Sequence, residues 1–190
     1  GRRSGIDFPA EARGIVPEVS TWSKLSRAGF ALGQELTVTP LQMALAYAAI
    51  ANGGWLPEPQ LVKGPTTEDR SVPASEPSRA RVLDARLADR LTSMLESVVV
   101  EGTGASARIP GYRVAGKTGT TNDQRDAWFN GYNQRLVANA WVGFDDNGKL
   151  GRGEVGGRAA LPAWMEFMRE ALKDVPDDEP EMPEDIVMLR

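Results

Sequence analysis

The chain has no cysteine and no histidine in its 190 residues. The first absence excludes disulfides, thiolate nucleophiles and cysteine-based metal sites. The second excludes more. Ser-His-Asp and Cys-His catalysis, histidine-ligated zinc and imidazole proton shuttles cannot be assembled from these side chains. Proton transfer must rely on lysine, carboxylates, tyrosine or hydroxyls, and no metal or cofactor site is expected. Long hydrophobic runs are lacking too. The longest covers residues 43–51, well short of the roughly 20 residues that cross a bilayer. No basic stripe points to nucleic acid. The opening GRRSGIDF lacks an initiator methionine, an apolar h-region and a cleavage site. It is expected to be an internal cut in a longer protein, not a signal peptide.

What is present is unevenly charged. The formal net charge is −4, but residues 174–190 hold seven acids and one base, leaving +2 on residues 1–173. Residues 1–173 are expected to form the folded body, and 174–190 an acidic, proline-bearing tail or linker. With 41% apolar content the body can bury a core without covalent staples.

Residues 1–38 are punctuated by glycine and proline, with one short helix expected around residues 22–30. Thr39-Pro40-Leu41-Gln42 then forms a capping box with proline at the first helical position. Leu41, Ala44, Leu45, Ala48 and Ala51 recur at helical spacing up to an Asn52-Gly53-Gly54 stop, and the many alanines imply close packing. Residues 57–78 read as a surface connection. A second helix is expected over 84–99, with Leu87, Leu91, Met94, Leu95 and Val98 on its apolar face. Three strands follow at 112–120, 127–132 and 136–144, joined by Asn122-Asp123 and Asn133-Gln134 turns as an antiparallel meander. Asp145-Asp146-Asn147-Gly148 carries turn chemistry, which explains the two carboxylates better than an acid/base or metal pair. A last helix from about Pro162 is expected to bury Trp164, Met165, Phe167, Met168, Ala171 and Leu172. The class is α+β.

The chemically loaded stretch is GYRVAGKTGTT, residues 111–121. Residues 111–118 satisfy the phosphate-loop pattern G-x-x-x-x-G-K-[ST], but such a loop must leave a buried strand and open a helix. Neither context is present. Read forward instead, Lys117-Thr118-Gly119 matches one element of serine acyl-transferases that handle protons with lysine. Lys117 supplies positive charge for a substrate carboxylate and for proton relay. Gly119 lets a peptide-like substrate approach the backbone. The Thr118 and Thr120 hydroxyls can bond a carboxylate, and the Thr120 backbone N–H can serve an oxyanion. Strand alternation puts Lys117 and Thr118 on opposite faces, so an edge position or strong twist is required. Most of the five tryptophans are expected to pack in core and rim, with Trp128 and Tyr132 as candidates for bordering a cleft.

Five segments occur in a telling order: GIDFPAEARGIVP, GQELTVTPLQMALAYAAIANGG, VVVEGTGASA, VAGKTGTTNDQRDAWFNGY and VANAWVGFDD. With them the chain resembles the transpeptidase domain of penicillin-binding proteins. Residues from Lys117 to Tyr132, and Pro183 to Val187 in the tail, look like the bifunctional class A branch. The segment around residues 6–17 also suits the monofunctional branch. The resemblance implies the penicillin-binding/β-lactamase-like fold, an antiparallel sheet flanked by helices, with three of five strands here. It implies a D,D-transpeptidase that cross-links peptidoglycan stem peptides through a serine acyl-enzyme and is acylated by β-lactams. Lys117 and Thr120 would be catalytic, and Thr118, Gly119, Thr120 and Trp128 would bind substrate.

Two family motifs, Ser-x-x-Lys and Ser-x-Asn, are missing from these residues. The nearest approach, Thr21-Trp22-Ser23-Lys24, has threonine in place of serine. The chain is therefore expected to be the C-terminal half of the domain, inactive alone, with the nucleophile-bearing N-terminal half as its partner. Membrane attachment would run through an anchor outside the chain, at the extracytoplasmic face of the inner membrane. A non-catalytic β-lactam sensor and a carboxypeptidase or β-lactamase are the competing readings on this scaffold.

Overall fold

The computed structural model describes residues 1–61 and 80–175. Most of the expected surface connection and the tail from residue 176 lie outside the described residues.

Residues 1–38 run largely as irregular chain, tied down by one antiparallel bridge between Ile15 and Thr37. A short helix α1 (Ser26–Ala31) interrupts it, packed through Trp22 against Phe30 with ring centroids 4.6 Å apart. Helix α2 (Pro40–Ala51) begins as the capping box requires. Gln42 N–H donates to Thr39 Oγ1 at 3.1 Å and Thr39 N–H to Gln42 Oε1 at 2.9 Å. The Gln42 amide also donates to the Arg2 and Arg13 carbonyls, so one side chain starts the helix and holds the N-terminal segment. Gly14, at φ +63°, is demanded by the same contact. A Cβ there would lie 2.4 Å from the Thr37 carbonyl oxygen and 2.8 Å from Gln42 Oε1.

After α2 comes a ribbon of β1 (Trp55–Leu56) and β2 (Ala80–Arg81), which was not expected from the sequence. Helix α3 (Ala85–Glu101) is capped by the Asp84 carboxylate, which accepts from Arg86 N–H at 2.9 Å. The meander is as expected: β3 (Ala115–Thr120), β4 (Asp126–Tyr132) and β5 (Val137–Gly143) form one antiparallel sheet in that order. Asn133 closes the second turn by accepting the Arg135 and Leu136 amides at 3.0 and 2.9 Å. Asp146 Oδ1 accepts from Gly148 N–H at 3.0 Å and Asn147 has φ +57°, which makes this segment a turn. Helices α4 (Gly156–Ala159) and α5 (Leu161–Ala171) end the described chain.

Alternation splits the sheet into two faces. Ala127, Phe129 and Gly131 face α5, where Phe129 and Trp164 rings meet edge-on at 4.8 Å. The Trp164 indole N–H donates to the Ala138 carbonyl at 3.0 Å, satisfying the polar atom of the largest fully buried side chain. Trp128, Asn130 and Tyr132 lie on the opposite face, towards α2 and α3. There the Tyr132 ring meets Tyr47, and its hydroxyl meets Thr92 Oγ1 at 2.8 Å.

Several expectations need correction. The first strand starts at Ala115, not 112, because Tyr112 lies in the preceding turn and its hydroxyl donates to the Leu172 and Val175 carbonyls. Helix α3 buries Ala88 and Val99, while Leu87 and Met94 of the expected face are exposed. Apolar residues flank the inward line on both sides, and only the neighbouring strand and helix choose between them. In α5 the buried line runs Leu161, Trp164, Met165, Met168 and Leu172, leaving Phe167 56% exposed. Of the five tryptophans only Trp164 is core; Trp55 and Trp141 are exposed. Tyr132 is buried rather than at a cleft border.

Candidate active-site edge

Strand β3 occupies the edge of its sheet and carries Lys117, Thr118, Gly119 and Thr120 on consecutive positions. Its ladder extends to Thr121, whose N–H donates to the Asp126 carbonyl at 3.0 Å. Opposed residues in an antiparallel pair alternate between hydrogen-bonded and non-hydrogen-bonded. The pairs Thr118–Phe129 and Thr120–Ala127 are therefore of the second kind. Their backbone N–H and C=O groups point away from β4, into the open edge.

The edge resolves the problem that alternation posed. Lys117 is exposed, and its ammonium curls round the strand to donate to the Thr118 carbonyl at 2.9 Å, with Thr118 Oγ1 at 3.4 Å. Cation, hydroxyl and outward carbonyl thus share one place although their side chains leave opposite faces. Thr118 Oγ1 also meets Thr103 Oγ1 at 3.0 Å. Thr120 Oγ1 accepts from Gly156 N–H at 3.0 Å, which leaves the hydroxyl proton free to donate outward. Gly119 lies across from Trp128, and a Cβ on it would meet Trp128 Cβ at 3.2 Å. Trp128 is half-buried beside Trp141 at 6.1 Å, with the Trp141 indole donating to Asp126 at 2.9 Å. All five expected site residues lie on β3 or its neighbour β4.

Two structural partners of this edge were not singled out in the sequence. Thr103 reaches it from the Gly102-Thr103-Gly104 turn after α3. Gly156 sits so close that a Cβ would be 2.3 Å from the Trp128 carbonyl oxygen and 2.5 Å from that of Gly119. The Gly-Gly pair at 156–157 was the available signal, since a glycine pair opening a helix marks close backbone approach.

The phosphate-loop pattern is excluded by placement. Gly111 has φ +85° in a turn, and Lys117 lies mid-strand, followed by a three-residue 3-10 turn at Asn122–Gln124 and not by an α-helix. Thr21 and Lys24 form no nucleophile pair: the Thr21 hydroxyl donates to the Glu18 carbonyl at 2.7 Å. Burial pushes the Tyr47 and Tyr132 phenols up to about 12, which keeps both protonated near neutral pH. Among the described residues, no helix is long and apolar enough to cross a membrane.

Comparison with known proteins fits this edge. The model of the penicillin binding protein transpeptidase domain matches residues 1–149. Penicillin-binding protein 1A of Pseudomonas aeruginosa is 50% identical over 117 residues, 60% of this chain and 14% of that protein. The chain thus spans only a small part of that relative's length. The transpeptidase domain of Burkholderia pseudomallei penicillin-binding protein 3 superposes with a TM-score of 0.76 at 30% identity, covering 95% of this chain and 56% of that one. Penicillin-binding protein 3 of Mycobacterium tuberculosis, solved with ampicillin, superposes with a TM-score of 0.65 at 27% identity, covering 100% and 47%. With its family model spanning most of the residues and the Lys-Thr-Gly strand at an open sheet edge, this chain belongs to the penicillin binding protein transpeptidase domain family.

Proposed function

We propose that these residues form one wall of the acylation cleft of a D,D-transpeptidase that cross-links peptidoglycan stem peptides, of the class A-like branch. The observation that carries this reading is the open edge of β3, where the Lys117 ammonium and the outward backbone groups of Thr118 and Thr120 converge. An extended peptide ending in a carboxylate fits such an edge, because it can hydrogen-bond along the strand while the carboxylate meets the cation. In this reading a serine oxygen attacks the D-Ala-D-Ala amide carbon. The Thr120 N–H supports the oxyanion, the C–N bond breaks, and D-alanine leaves with a proton. An amine of a second stem peptide then attacks the ester and frees the serine. Lys117, Thr118 and Thr120 hold the donor's carboxylate, Gly119 leaves room for its backbone, and Trp128 borders it. A β-lactam enters the same reaction as a cyclic donor, in keeping with the ampicillin-bound relative.

The attacking serine belongs to neither Ser-x-x-Lys nor Ser-x-Asn in these residues, so this reading assigns it to the domain's other half. Two features support a covering partner of that kind. Helix α2 is apolar nearly all round yet buries only Ala49 fully, and α3 exposes Leu87, Met94 and Val100. The parent is assigned to the extracytoplasmic face of the inner membrane, held by an anchor outside these residues, with 174–190 as a tail or linker.

The test is labelled penicillin, applied to the full-length protein and to the 190 residues alone. The full-length protein is expected to form a covalent adduct on a serine outside this chain, and the 190 residues none. An adduct on any serine within the chain overturns the two-part reading, and failure of the full-length protein to acylate overturns the transpeptidase reading.

A further inference from the structure

Asn130 lies in the middle of β4 on the face towards α2 and α3, and it is only 4% exposed. Its Oδ1 is buried and meets no hydrogen-bond donor. Buried amide oxygens in folded proteins have donors in the large majority of cases, so this one calls for a partner. The register puts Lys117 directly across from Asn130. Directly opposed side chains share a face with Cβ atoms about 4.5–5.5 Å apart, a span that a lysine's four-carbon stem covers. The third residue of the row is Asn139, whose Nδ2 is committed to the Pro40 carbonyl at 2.7 Å. The row therefore holds one orphan acceptor and one ammonium with three hydrogens on a rotating stem.

We infer that Asn130 is a positioning residue for Lys117: its Oδ1 accepts a hydrogen bond from Nζ and gives the ammonium a second seat, on the sheet face, besides the edge seat at Thr118. This inference rests on the reading of Lys117 as the cation of the cleft. A neutral oxygen suits the task. It restrains the ammonium without cancelling its charge, so an arriving carboxylate meets a cation that is already ordered and loses less rotamer freedom on binding. A carboxylate at the same place would compete with substrate, and an aliphatic residue would leave the stem free.

The experiment measures the second-order rate of acylation by a fluorescent penicillin in the full-length protein, with thermal unfolding recorded for each variant. Asn130→Leu, alike in branching but without the oxygen, is expected to acylate about tenfold more slowly. Asn130→Thr retains a neutral oxygen acceptor at the seat and is expected to keep at least half of the parent rate. On a Lys117→Ala background, Asn130→Leu is expected to change the residual rate less than twofold. The inference is overturned if Asn130→Leu acylates at the parent rate, or if Leu and Thr variants slow equally. It is overturned too if Asn130→Leu slows the Lys117→Ala protein as much as the parent. Where Asn130→Leu does not fold, Asn130→Ala is measured against the same outcomes. Lys117→Ala by itself separates the two ideas, because parental acylation in that variant removes the reading of Lys117 as the cleft cation.

Discussion

The two faces of the β3–β5 sheet are built from alternate residues of the same three strands, yet they differ in kind. One face offers Ala127, Phe129 and Gly131 to α5, and Trp164 closes it. The indole N–H within that contact finds the Ala138 carbonyl, and the face ends at the β3 edge in Thr118 and Thr120. The other face carries Lys117, Asn130, Asn139, Trp128 and Tyr132, covered in part by α2 and α3. Apolar burial on the first face is where the free energy of folding concentrates. Polar side chains on the second gain little from apolar burial, and in the proposed function Lys117 and Trp128 border the cleft. Register thus decides which face is buried, and a one-residue slip would exchange the two. The proposed site, by contrast, draws Lys117 from one face and Thr118 and Thr120 from the other at the edge.

Substitutions can break this comparison or sharpen it. The largest effect is expected on the α5 face. Trp164→Ala removes the largest fully buried side chain and should cost about 3–5 kcal/mol. Denaturant unfolding of the full-length protein measures the loss, and acylation per folded molecule should not change. Next comes Lys117→Ala, expected to slow acylation on the order of 100- to 1000-fold, the size of losing one preorganised charged contact. Its unfolding midpoint should stay at the parent's, and a large drop would mean that the two faces are not separable.

Gly156→Ala probes the place where the faces meet. Its Cβ would press on the backbone oxygens of Trp128 and Gly119, which cannot rotate away. Helix α4 must back off, at a cost of about 1–3 kcal/mol, and the Gly156–Thr120 hydrogen bond loosens. Both the unfolding midpoint and the acylation rate should fall, the one variant expected to move both. The smallest effect is Tyr132→Phe, which removes the bond to Thr92 at about 1 kcal/mol.

That variant also has a pH signature. Burial raises the Tyr47 and Tyr132 phenols from 10.0 to about 12. Below pH 10 both folded and unfolded chains keep these protons, so the groups do not affect stability there. Between about 10 and 12 the unfolded chain releases them first, and stability falls as pH rises. Tyr132→Phe should make the fall of stability between about pH 10 and 12 shallower than in the parent, measured by denaturant unfolding at a series of pH values.

Much of the fold could be read in advance where the local signal was strong. Thr39-Pro40-Leu41-Gln42 states a capping box because each partner lies within one helical turn. The three strands and their Asn-bearing turns follow from β-formers and turn residues alone. Reading failed where a choice depended on neighbours distant in sequence. Both Leu87 and Ala88 suit a buried helical position, but only the packing of α3 on β3 and α2 selects Ala88. Phe167 is as apolar as Trp164, yet it lies off the line that meets the sheet. At the site, Lys117, Thr118, Gly119 and Thr120 were legible as one contiguous motif. Gly156 and Thr103 were not, since each joins the edge from a distant part of the chain.

The sequence alone determined the chemistry that is available. With neither histidine nor cysteine, the proton handling of any reaction here falls to lysine, hydroxyls, carboxylates or tyrosine. The Lys-Thr-Gly-Thr order and its neighbours state the family. Tertiary structure decided how those residues can act. Alternation alone sends Lys117 and Thr118 to opposite faces, and only the position of β3 at an open edge lets the ammonium reach round to Thr118. It also decided which backbone groups face outward and which asparagine lies beside the lysine. The reason is physical: side-chain composition is local, whereas an edge, a register and a burial exist only once strands distant in sequence have paired.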